Sequence, residues 1–169
     1  MSNDANTQDT WEGPVLEIDG LCISYFVRSG EIPAVVDFSL TLAPGESVGL
    51  VGESGCGKST VALAIMRYMG SNGGIVGGTV KFKGRDMAEM SEEELRQLRG
   101  SQIAMIYQEP MAALNPSVTI GKQLMEVPMI HKDASPDEAR KLAIQMLADV
   151  HLPDPERVMG AYPHQISGG

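Results

Sequence analysis

The sequence predicts an α/β domain of the phosphate-loop nucleotide-binding class, and three observations predict it. Residues Gly52-Glu53-Ser54-Gly55-Cys56-Gly57-Lys58-Ser59 complete the pattern G-x-x-x-x-G-K-[ST]. The apolar run at 47–51 reads as a short buried strand, and residues 59–69 are compatible with a helix. Strand, glycine loop and helix in that order is the setting the pattern requires. Upstream, residues 15–42 alternate apolar and polar positions as half-buried strands do.

The chemistry of the loop follows from its residue types. Gly52, Gly55 and Gly57 admit backbone conformations that a Cβ forbids, so successive N–H groups can turn inward around phosphate oxygens. The helix that follows adds its positive end. Lys58 is expected to reach the β- and γ-phosphates of a nucleoside triphosphate, and the Ser59 hydroxyl to ligate Mg²⁺.

Each element can be placed in order. Residues 1–13 are polar and carry Asp4, Asp9 and Glu12 without a basic residue, a flexible tail. Leu16 and Ile18, then Leu21, Ile23 and Tyr25, then Val36, Phe38, Leu40 and Leu42 mark strand segments. Arg28-Ser29-Gly30-Glu31 reads as a hairpin loop, and Pro44-Gly45 as the turn that feeds the phosphate-loop strand. Residues 71–78 read as a glycine-rich connection and 79–82 as a short strand ending at Gly84. Ser91 and Glu94 form a capping box that opens a helix ending by Gly100. Residues 102–107 are a second buried-strand candidate with Gln108 at its C-terminal end, and Pro110 and Pro116 impose an irregular loop.

Residues 120–127 read as a helix that Pro128 ends or kinks. Ser135-Pro136-Asp137-Glu138 is a second capping box, with proline at the first helical position. Ala139, Leu142, Ala143, Met146, Leu147 and Val150 then form an amphipathic stripe, which implies core packing. The eleven methionines, Met66, Met125, Met146 and Met159 among them, are expected to fill gaps in the core.

Composition narrows the function classes. With 169 residues, the chain is one domain or part of one. Thirteen basic against 22 acidic residues give a net charge of −9, which argues against a nucleic-acid partner. No apolar stretch approaches the roughly 18 residues of a membrane-spanning helix, and no signal peptide is recognised, so a soluble chain in a reducing cytoplasm is expected. Cys22 and Cys56 lack metal-ligand spacing, as do His131, His151 and His164, which read as surface or loop residues.

Taken together, residues 15–169 resemble the ATP-binding subunits of ABC transporters. The resemblance rests on the phosphate loop, on Gln108 some fifty residues later, similar to the family's Q-loop, and on Ile166-Ser167-Gly168-Gly169, similar to the start of its L-S-G-G-Q signature. The stretch from Gln108 to Pro116 and Tyr162-Pro163-His164-Gln165 look like the dipeptide and oligopeptide importer branch, or its nickel-importing relatives. The resemblance implies an ABC-type fold: an antiparallel β subdomain with the phosphate-loop core at 14–108, and a helical subdomain at 109–169. It implies that Tyr25 stacks on adenine, that Glu53, Ser54 and Cys56 cradle phosphates with the three glycines, and that Thr60 assists Ser59. Gln108 is implied to touch Mg²⁺ or the attacking water, and Ser167, Gly168 and Gly169 to bind the ATP held by an opposite, head-to-tail subunit. The implied partners are integral-membrane permease subunits and that second ATP-binding subunit. The implied place is the cytoplasmic face of the membrane.

The resemblance also implies residues beyond Gly169: the rest of the signature, the acidic strand, a catalytic glutamate and a switch histidine. Residues 1–169 alone are therefore expected to lack efficient turnover, and the phosphate-loop strand to lack its lateral neighbours. A non-transport ABC ATPase, another phosphate-loop enzyme such as a small-molecule kinase, and a non-functional fragment remain as alternatives at this point.

Overall fold

The computed structural model describes residues 11–109 and 113–166. The expectations for residues 1–10 and for Ser167, Gly168 and Gly169 lie outside the described residues. The chain divides into two compact units between Arg96 and Gln97.

The first unit is built on an antiparallel sheet of order β2-β1-β3-β4. Strands β1 (Leu16–Val27) and β2 (Gly30–Leu42) pair up to Val27 and Gly30, so the hairpin loop narrows to Arg28 and Ser29. The apolar alternation of β1 changes phase after Ile18. That phase change is a bulge inside one strand, since the register with both neighbours shifts after Ile18 or Asp19. The bulge is continued across the sheet by left-handed backbone at Gly20 (φ 56°), Asp37 (φ 52°) and Gly78 (φ 77°).

Strand β3 (Gly73–Phe82) starts well before the expected Thr79. The glycines there are not a linker. A Cβ on Gly78 would collide with the backbone of Gly20 and lie 2.5 Å from the Asp19 carbonyl oxygen, so only glycine lets the two bulged strands meet. A two-residue strand β4 (Arg85–Asp86) closes the edge. Leu16, Ile18, Leu21, Ile23, Val80 and Phe82 bury one side of the sheet.

Helix α1 (Lys58–Ile65) buries Val61 and Ala64. It stops short of the expected residue 69, because Arg67 turns to φ 50° and the Tyr68 N–H reaches back to the Leu63 carbonyl at 2.9 Å.

Two expected buried strands are absent. Residues 47–51 pair with nothing among the described residues, and Val51 is 95% exposed. At 102–107 the ladder is a single parallel bridge between Arg99 and Ile103, and Ile106 is 93% exposed. An apolar run specifies a strand only when a neighbouring strand satisfies its backbone groups.

Helix α2 (Glu92–Leu98) runs across the division of the chain and carries the expected box, with the Ser91 N–H donating to Glu94 at 2.9 Å and the Glu94 N–H to the Ser91 hydroxyl at 3.3 Å. The second unit holds α3 (Ile120–His131), α4 (Pro136–Asp149) and α5 (Pro155–Gly160) around Ile120, Ala143, Leu147, Val158 and Met159. The box at Ser135 and Glu138 is complete.

Pro128 does not end its helix. α3 runs on to His131, where the Pro128 carbonyl accepts from the Lys132 and Ala134 N–H groups. Proline forfeits one donor, and its ring is buried. The α4 stripe is buried along Ala139, Ala143 and Leu147, whereas Leu142, Met146 and Val150 stay exposed. The expected core place of Met146 is thereby corrected, while Met159 is buried as expected and Met125 packs against the core. No helix of the described residues is long and apolar enough to cross a membrane.

Candidate functional site

The loop at 52–59 is held by its own residues. Gly57 is the N-cap of α1 at φ 94°, ψ 0°, a left-handed conformation suited to glycine. A Cβ there would also stand 3.0 Å from the Ala34 carbonyl oxygen and 3.2 Å from Val35 Cγ2 of β2. The strand hairpin thus fixes how closely the loop lies on the sheet. Because no side chain caps α1, the N–H groups of its first turn remain open to an anion. Gly55, at φ 84°, supplies the second left-handed turn.

Lys58 folds back over the loop. Its Nζ donates to the Gly52 carbonyl at 2.7 Å, to the Glu53 carbonyl at 2.6 Å and to Cys56 Sγ at 3.3 Å. Three donors meet three acceptors, so the ammonium is satisfied by the loop itself. Gly52 makes room for this: a Cβ there would sit 2.5 Å from Cys56 Sγ. The Cys56 N–H donates to the Glu53 carbonyl at 3.3 Å and closes the turn around Ser54 and Gly55. An anion placed in this loop would offer the same ammonium charged oxygens in place of two carbonyls and a thiol, an exchange that charge favours.

Ser59 and Thr60 occupy the first turn of α1, Ser59 exposed and Thr60 half-buried. A hollow of about 290 Å³ adjoins the loop, lined by Val36, Asp37, Leu50, Cys56, Lys58 and Val61. Tyr25 is half-buried on β1, opposite Ile32 and Gly73. Its ring lies where a Cβ on Gly73 would be 2.9 Å from Cε1, so Gly73 is the seat that holds the ring.

The structure thus brings Gly52, Glu53, Cys56 and Lys58 into one contact network and seats Gly57 on Ala34 and Val35, with Tyr25 held separately. Gln108 is exposed in a bend of the second unit. Ser167, Gly168 and Gly169 lie outside the described residues. Sequence reasoning missed Ala34 and Val35, the floor beneath Gly57, because a backbone carbonyl carries no residue-type signal. Among the described residues no cluster of three or more His, Cys, Asp or Glu could hold a metal. The exposed Ser59 hydroxyl beside the loop is a hard oxygen donor of the kind Mg²⁺ takes in addition to phosphate oxygens.

Comparison with known proteins bears on this geometry. The family described as ABC transporter matches residues 35–169. The oligopeptide transport ATP-binding protein OppD of Salmonella typhimurium is 44% identical over 155 residues, 92% of this chain and 46% of the relative. OppD of Escherichia coli is 43% identical over 155 residues, again 92% of this chain and 46% of its own length. The chain spans about half the length of the curated relatives it matches. Among solved structures, a dimeric ATP-binding cassette in a post-hydrolysis state, bound to ADP and Pi, superposes with a TM-score of 0.77. That match is 24% identical, covers 90% of this chain and 63% of the other, and shows the shared fold.

Proposed function

The chain belongs to the ABC transporter family, and on that premise we propose that it is the ATP-binding part of a subunit that couples ATP binding and hydrolysis to membrane import of peptides or similar small solutes. The observation that carries the reading is the loop at 52–59, with Lys58 poised on exchangeable partners above an uncapped helix. The OppD names support peptide as the solute class.

In this reading the N–H groups of the loop, from Gly52 through Gly57, take the phosphates and Lys58 bridges the β- and γ-positions. Ser59, with Thr60 beside it, would hold Mg²⁺, which would supply positive charge to the phosphates. Tyr25 offers its ring to adenine, and Gln108 would contact the metal or orient the attacking water. Ser167, Gly168 and Gly169 meet the nucleotide of a second, head-to-tail ATP-binding subunit. Integral-membrane permease subunits hold the pair at the cytoplasmic face of the membrane. No nucleic acid takes part.

One experiment tests this reading: calorimetry with Mg-ATP on the protein and on its Lys58→Ala variant. Binding by the former and none by the latter is expected, because Lys58 is the charge that the loop's N–H groups cannot replace. Equal affinity in the two would overturn it.

A further inference from the structure

Beyond the loop at 52–59, a second polar arrangement bears on the same reaction. Gln123, on the first turn of α3, spends its whole amide on the chain just ahead of that helix. Its Oε1 accepts from the Asn115 N–H at 2.9 Å, while its Nε2 donates to the Asn115 carbonyl at 3.0 Å and to the Val118 carbonyl at 2.8 Å. The amide thus meets both backbone groups of Asn115 as a neighbouring strand would. The Asn115 side chain adds an acceptor for the Ser117 N–H at 3.0 Å, and the Val118 N–H closes the turn on the Asn115 carbonyl at 3.2 Å.

Asn115 is seven residues after Gln108 in the sequence. The clamp therefore fixes the backbone at Asn115, the position that follows Gln108 at that spacing. The same turn of α3 is fastened on another side. The Ile120 N–H donates to the Ala161 carbonyl at 2.9 Å, and a Cβ on Gly121 would lie 2.6 Å from the Met159 carbonyl oxygen. Ala161 opens the run that leads through Tyr162 and Ile166 to Ser167. One helical turn thus grips both Asn115 and Ala161.

We propose that Gln123 is a positioning residue for ATP turnover, holding the end of the Gln108 stretch to the α3 turn that also holds Ala161. The functional half of this rests on the reading above, in which Gln108 works at the metal and water. Gln123→Glu keeps the shape and removes both donors, placing a carboxylate against two carbonyls; Gln123→Ala removes the whole clamp.

The test uses the protein as encoded, with three measurements on wild type and both variants: hydrogen exchange of the Asn115 and Val118 amides, ATP affinity, and steady-state turnover. Exchange at Asn115 is expected to rise at least about tenfold in Gln123→Ala, where its N–H loses the Oε1 acceptor, and less in Gln123→Glu, where an acceptor oxygen remains. ATP affinity should stay within twofold, and kcat should fall severalfold without a matching rise in KM. Unchanged exchange overturns the clamp. Raised exchange with unchanged kcat, or a loss of affinity as large as the loss of kcat, overturns the positioning role. Should the wild type bind no ATP, the nucleotide reading fails and the positioning role with it, while the exchange measurement still decides the clamp.

Discussion

At the residue scale, Cys56 and Lys58 show how much of the loop is held by local contacts. The ammonium is tied to two carbonyls and one thiol of the same loop, so a ligand that takes Lys58 competes with these local contacts. Cys56 is exposed, whereas Cys22 is half-buried in β1 and accepts from the Asp37 N–H at 3.4 Å. A soluble maleimide is therefore expected to label Cys56 severalfold faster than Cys22. Mg-ATP should slow Cys56 alone, because phosphates draw Lys58 away and occupy the loop. Mass spectrometry of the two cysteine peptides checks this, and equal rates or equal protection would count against it. The left-handed turns at Gly55 and Gly57 were legible in the sequence, because glycine is the residue type that such backbone favours. The floor supplied by Ala34 and the clamp supplied by Gln123 were not, since both act through backbone partners that any sequence provides.

At the element scale, caps and turn chemistry transferred well from sequence to structure, and strand boundaries did not. Both capping boxes form with the expected partners, because an N-cap and its N3 glutamate lie within three residues and need nothing else. The strand at 73–82 and the bulged β1 were misplaced, since a glycine that lets strands approach reads in sequence like a glycine that breaks them. The caps carry a pH prediction. The Ser91 backbone N–H, followed by the Arg85 guanidinium, lowers the Glu94 carboxyl from 4.5 to about 2. Glu138 is lowered in the same direction, chiefly by the Ser135 hydroxyl and then by its backbone N–H. A carboxyl held down in the folded state stabilises above its ordinary pKa, and that contribution drains away as pH falls through the folded value. Helicity followed between pH 5 and pH 2 should therefore decline less steeply in Glu94→Gln and Glu138→Gln, each starting from a lower melting temperature at pH 7. Parallel acid profiles in wild type and variants would remove the caps from the account.

At the scale of the whole molecule, the order of elements follows the sequence, and what differs is where apolar runs find cover. Residues 47–51 and 102–107 read as buried because their composition is apolar. Burial also needs a partner, and Val51 and Ile106 have none among the described residues. The two units bury different side chains: Leu21 and Ile23 in the first, Ala143 and Leu147 in the second. Damage to one core should then leave the other's chemistry in place. Leu147→Ala removes a side chain that is 6% exposed at the centre of the helical cluster, a change that costs about 2–5 kcal/mol where the site cannot collapse. Because every contact seen at Lys58 lies in the first unit, ATP affinity of the variant at low temperature should stay within about twofold of wild type, less than 0.5 kcal/mol. The measurement is a urea titration followed by helical signal, with calorimetry of Mg-ATP in the absence of urea. A fall in affinity that tracks the lost stability would mean that the phosphate loop depends on the helical core, and that the two units act as one.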